Sequence, residues 1–216
     1  MFGLPMFAAL CCLVCVCGLL LAEYRHATFA KVLLKLGASS AFVAFALLLG
    51  AASTPYGRLI VVALALSWVG DALLLSHTQW MFLGGLVAFL LAHVAYTTAF
   101  WLIGPPLGVF LLIVLGFSIP LVLIVRWLWP HLSGFYRLPV SAYIGVIAIM
   151  ASMACASAYR TGVWALAVGA VGFAASDVAV AREQFVTKSI VNKLWGLPLY
   201  YAAQLLLAWS VTIVQA

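Results

Sequence analysis

The chain has 216 residues, of which 68% are hydrophobic and 6% charged, with a mean hydropathy of +1.27. A soluble domain of this length cannot hide so much apolar surface, so the composition excludes one and specifies a polytopic membrane protein. The formal net charge of +6 comes from basic residues scattered over loops without a stripe or motif. That pattern reads as a membrane-orientation signal and gives no footing to nucleic acid as a partner.

A spanning helix needs about 20 apolar residues. The sequence predicts eight, at roughly 3–22, 29–50, 57–76, 80–103, 106–128, 139–158, 162–181 and 194–214. The expectation is an all-α transmembrane bundle forming a single domain over residues 1–216. Helix 1 has no Lys or Arg ahead of it and no A-x-A site after it, so it reads as a span, not a cleaved signal peptide. It carries Cys11, Cys12, Cys15 and Cys17, which, like Cys155 in helix 6, read as small apolar filler. Ser53-Thr54-Pro55-Tyr56-Gly57 separates helices 2 and 3, Gly104-Pro105-Pro106 separates 4 and 5, and Pro130 with Ser133-Gly134 separates 5 and 6.

The basic residues set an orientation. Arg25, Lys31, Lys35, Arg126, Arg137, Arg182, Lys188 and Lys193 flank the odd-numbered loops, whereas Arg58 and Arg160 alone flank the even-numbered ones. The positive-inside rule then places the odd loops in the cytoplasm and both termini outside, as in a bacterial inner membrane.

Of the four acidic residues, Asp71 and Asp177 lie inside predicted spans. An acid at the centre of a membrane helix costs about 3 kcal/mol on insertion scales, so each is a functional-site hypothesis by default. Helices 3 and 7 run in the same direction. Asp71 precedes a polar exit at Ser76-His77, and Asp177 precedes Arg182. At 1.5 Å rise per residue both carboxyls lie roughly 8 Å below the cytoplasmic ends of their helices, a depth that suggests one shared inner-leaflet cavity.

Other polar residues reach that layer. Lys35 lies just over one turn into helix 2, and Ser67 is one turn from Asp71 on the same face. Ser141 and Tyr143 open helix 6, and Tyr200, Tyr201 and Gln204 follow Pro198 in helix 8. Plain packing roles compete with the functional ones. Either aspartate can tie helices together through Lys35 or Arg182, Tyr200 and Tyr201 can form an interfacial belt, and Lys31 and Lys35 can snorkel to headgroups. His93, about thirteen residues into helix 4, counts as deeper than the aspartates and suits a hydrogen-bonded packing role. His26, His77 and His131 lie near the interfaces and lack zinc-ligand spacing.

At these residues the chain resembles the lysoplasmalogenase (YhhN-like) family of integral membrane proteins. The features are Gly70-Asp71-Ala72-Leu73-Leu74 at one helix end, Ser176-Asp177 at another, and Pro198-Leu199-Tyr200-Tyr201-Ala202-Ala203-Gln204-Leu205 in the last helix. The family's Lys-Pro in helix 2 is here Lys35-Leu36. The resemblance implies hydrolysis of the vinyl ether of a lysophospholipid, lysoplasmalogen, within membrane lipid and without a cofactor or metal. It implies that Asp71 and Asp177 are catalytic, one as proton donor and one as carboxylate. It also implies that Lys35, Tyr200, Tyr201, Gln204, Ser67, Ser176 and Arg182 bind substrate. From the residues alone, a lipid or solute carrier with proton-coupling aspartates stays open beside the enzyme. So does a metal-dependent hydrolase.

Overall fold

The computed structural model describes residues 3–76 and 78–214. Eight helices are long and apolar enough to cross a membrane. They are α1 (Leu4–Tyr24), α2 (Thr28–Leu48), α3 (Pro55–Leu73), α4 (Gln79–Leu102), α5 (Leu107–Leu128), α6 (Gly134–Thr161), α7 (Trp164–Ala181) and α8 (Ile190–Trp209). Each matches a predicted span. The punctuation works as capping chemistry. Gly50, at φ 82°, closes the end of α2, and the Thr54 side chain then accepts the Gly57 N–H at 3.0 Å with Pro55 in the first turn of α3. Ser189 caps α8 in the same way through the Val191 N–H.

Two boundaries differ from expectation. The sixth helix starts at Gly134, not 139, because Pro139 falls in its second turn, where it forfeits only one backbone bond. Helix α7 ends at Ala181 but continues as a wider π turn over Arg182–Val186. His77, half of the polar exit expected after α3, lies outside the described residues.

Seven helices close a ring in the order α1, α2, α3, α4, α6, α7, α8, with α8 also reaching across to α2 and α3. Close approach along it depends on small residues, the usual device where lipid removes any hydrophobic drive between helices. A Cβ on Gly70 would stand 2.6 Å from the Phe89 ring of α4, and one on Gly196 2.6 Å from the Ala179 Cβ of α7. Helix α5 stays outside and packs mainly on α6, leaving Leu112 (70% exposed) and Ile119 (68%) on the bundle's surface. The interior of the ring is therefore where α8, α3, α4 and α7 bring their polar residues together.

Candidate active site

Asp71 lies in the last turn of α3 and is 3% exposed. Lys35 and Ser39 project toward it from one face of α2, four residues apart. The Lys35 ammonium stands 3.3 Å from Asp71 Oδ1. Oδ2 accepts hydrogen bonds from Ser39 Oγ at 2.6 Å and from the Tyr200 hydroxyl of α8 at 2.8 Å. Tyr201 braces α2 from the same side, its hydroxyl 3.3 Å from both Ser39 Oγ and the Lys35 carbonyl. The buried carboxylate thus has a cation on one oxygen and two hydroxyl donors on the other, which is what an ionised acid needs away from water.

One turn further in, Gln204 stands to Tyr200 as Ser67 stands to Asp71. Its Nε2 donates to Ser67 Oγ at 3.2 Å, and its Oε1 accepts from the Tyr96 hydroxyl of α4 at 2.6 Å. All four residues are buried.

Asp177 has different company. Its Oδ2 stands 3.3 Å from His93 Nε2 on α4, and the Tyr143 hydroxyl of α6 lies beside the carboxyl group. His93 is fully buried, stacked on Phe173 at 4.4 Å and edge-on to Tyr143 at 5.4 Å. Its depth by residue count had set it apart from the aspartates. The pairing shows that the count misleads, because α4 and α6 run for 24 and 28 residues and their ends are not level with those of α3 and α7.

The two acids communicate through aromatic rings. Phe173 contacts His93 on one side and Tyr200 on the other, with centroids 5.5 Å apart, and Phe89 packs against both Phe173 and Tyr200. These side chains fill the space where an open shared cavity was expected. Surface grooves lie elsewhere, one of about 400 Å³ between α2 and α3 beside Ser40, Ala65 and Trp68, another beside Arg126 and Trp129.

Two expected site residues are not brought to the carboxyls. Ser176 donates to the Phe173 carbonyl of its own helix at 2.7 Å. Arg182 donates to Asn192 Oδ1 at 3.1 Å, within a clasp in which Asn192 also donates to Glu183 and to the Thr187 carbonyl. Nearby, Glu23 at the end of α1 receives Lys193 at 2.7 Å and Lys31 at 3.3 Å, tying α1, α2 and α8 together. Ser39, Tyr96 and His93 were missed as site residues. Ser39 was open to detection, since it sits one turn from Lys35. Among the described residues no three of His, Cys, Asp or Glu gather as metal ligands.

Fold and site together define a polytopic integral membrane protein with two buried, separately partnered aspartates. The chain belongs to the YhhN family, which residues 29–211 match. It is similar to bovine lysoplasmalogenase TMEM86A, 30% identical over 164 residues, covering 72% of this chain and 66% of that protein. It is also similar to a lysoplasmalogenase of Mycobacterium tuberculosis, 34% identical over 175 residues, covering 75% of this chain and 65% of the relative. Human lysoplasmalogenase TMEM86B is 34% identical over 155 residues, 72% of this chain and 64% of its own length. The chain thus spans just under two thirds of the length of these relatives. No solved structure matches it significantly.

Proposed function

We propose that this protein is a lysoplasmalogenase-type hydrolase that cleaves the vinyl ether of a lysophospholipid, releasing a fatty aldehyde and a glycerophospho-base. The observation that carries the reading is the pair of buried aspartates held in unlike surroundings, Asp71 by Lys35, Ser39 and Tyr200 and Asp177 by His93 and Tyr143. The names of the relatives supply the substrate class.

Vinyl ether hydrolysis requires two acid–base roles. A carboxylic acid gives its proton to the outer alkenyl carbon, and the double bond's electron pair forms the new C–H bond. The resulting oxocarbenium ion is stabilised by a nearby carboxylate, as in glycoside hydrolysis. Water adds to the cation and loses a proton, restoring the acid. The hemiacetal then breaks its C–O bond to the glycerol oxygen, which takes the hydroxyl proton as aldehyde leaves. Asp71 and Asp177 are the two groups, and general acid–base catalysis of this kind contributes about 10²–10⁴-fold.

The site lies in the inner leaflet in this reading, with odd-numbered turns in the cytoplasm of a bacterial inner membrane and both termini outside. Eight of the chain's ten Lys and Arg residues flank those turns, which supports that orientation. The substrate opens a cavity by displacing the Phe89, Phe173 and Tyr200 rings. Lys35, 14% exposed at its side chain, has N–H donors left for a phosphate after meeting Asp71. Tyr201, Ser67 and Gln204 form the polar wall behind it, and Arg182 and Ser176 hold the end of α7 that carries Asp177. The test is direct. Purified protein incubated with a lysoplasmalogen releases fatty aldehyde, and a protein that binds the lipid without releasing aldehyde sinks the reading.

A further inference from the structure

His93 has no role in the chemistry so far, yet it is the most constrained titratable side chain in the bundle. It is fully buried on α4, and its Nδ1 lies 2.6 Å from the Phe89 carbonyl. A carbonyl only accepts, so Nδ1 carries a proton and donates it. Nε2 then faces Asp177 Oδ2 at 3.3 Å. In the described structure neither of these buried atoms has a well-aligned hydrogen bond to any other group.

Two lone pairs facing each other in a buried site repel, and each atom left unpaired costs about 1–3 kcal/mol. One proton between them removes both costs. It can sit on the carboxyl as O–H···N or on the ring as N–H···O, and either way the pair is electrically neutral. From the geometry we infer that His93 and Asp177 share a stored proton, that Asp177 is the group delivering it to substrate, and that Asp71 works as the carboxylate. The division of labour rests on the hydrolase reading, whereas the stored proton does not.

Three observations support the assignment. Asp71 already has a cation and two hydroxyl donors, so a further proton there would displace one of them. The Asp177 side chain is 13% exposed against 4% for Asp71, so it is the more reachable donor. His93 is locked by the Phe89 bond and by its stack on Phe173, which fixes Nε2 toward Asp177 and makes it a positioning residue that also reloads the acid. The titratable groups around it are Asp177 on α7, Tyr143 on α6 and Tyr96 on α4. Tyr200 and Asp71 lie across the Phe89–Phe173 layer.

The experiment reads the proton itself, in wild-type protein in lipid nanodiscs at neutral pH. Infrared spectra report a protonated carboxyl, and nitrogen NMR of protein labelled at histidine reports a ring protonated on both nitrogens. One of the two signatures is expected, absent in Asp177→Asn and retained in Asp71→Asn. Finding neither signature, or finding it abolished by Asp71→Asn and kept in Asp177→Asn, overturns the inference. So does a neutral His93 protonated on Nε2 alone. In the activity arm, His93→Gln lowers kcat by on the order of 10²-fold with KM nearly unchanged. An unaltered kcat removes the reloading role. A signature without any aldehyde release by the wild type leaves the stored proton standing and fails the hydrolase reading alone.

Discussion

Asp71 and Asp177 are the same side chain near the ends of two apolar helices, and the bundle surrounds them with opposite chemistry. Around Asp71 every partner is a donor, the Lys35 ammonium with the Ser39 and Tyr200 hydroxyls. Against Asp177 stands a histidine whose other nitrogen is committed to the Phe89 carbonyl, so the atom facing the acid needs a proton from one of the two. The residue type therefore does not decide the task. What decides it is whether the neighbours complete a negative charge or leave room for a proton, which is how two carboxyls in one enzyme acquire different roles.

The largest effects come from removing either acid. Asp71→Asn and Asp177→Asn should each lower vinyl ether hydrolysis by on the order of 10²–10⁴-fold, and the double variant should be little worse than either because the two act as a unit. Aldehyde release measures this. Stability should separate them. Asp71→Asn strands the Lys35 cation, a loss of up to about 3 kcal/mol that is reduced where the side chain can turn outward. Adding Lys35→Met should then restore the melting temperature without restoring turnover. Equal melting temperatures for the two Asn variants would mean that Lys35 contributes little to holding Asp71.

Lys35→Met alone tests the donor set. Losing a hydrogen-bonded cation beside a buried carboxylate is worth about 1.5–3 kcal/mol, so kcat should fall about 10–100-fold with a smaller rise in KM. A change confined to KM would assign Lys35 to the phosphate alone. A smaller effect is expected at Tyr96→Phe, which leaves Gln204 Oε1 without its 2.6 Å donor. Thermal unfolding should register about 1–3 kcal/mol, with turnover within a few-fold of wild type. Combining it with Gln204→Leu removes both partners and should recover part of that loss.

Legibility followed helix direction and spacing. The Asp71 half could be assembled from sequence because its members repeat at four residues, Ser67 with Asp71 and Tyr200 with Gln204, on helices whose ends are clearly punctuated. Lys35 was legible for the same reason, since it opens a helix. The Asp177 half was not. His93 and Tyr143 reach it from α4 and α6, whose lengths exceed a level crossing, so counting residues from the helix start misjudged their depth. Arg182 marked the end of α7 correctly but closes a π turn onto Asn192, a contact that depends on how the following loop folds back. The aromatic layer between the acids leaves no periodic trace distinct from ordinary apolar filling. Phe89, Phe173 and Tyr200 acquire their meaning from being next to one another.

The smallest expected effects test whether the ring and α5 differ in the way their packing implies. Gly70 is in the ring, one residue before Asp71, and a Cβ there would stand 2.6 Å from the Phe89 ring. Gly70→Ala should therefore cost about 1–3 kcal/mol through overpacking. It should also lower turnover, because Phe89 packs on Tyr200 and its carbonyl holds His93 Nδ1. Gly116 is in α5, and a Cβ there meets nothing within 4 Å. Gly116→Ala should leave activity unchanged and raise stability by up to about 1 kcal/mol, the ordinary helix preference for Ala over Gly. Both are single methyl additions to apolar helices, so membrane insertion should be alike for the two variants, and melting temperature with aldehyde release separates them. If Gly116→Ala lost activity as Gly70→Ala should, then α5 would not be a bystander, and the seven-helix ring would not be a sufficient account of the site.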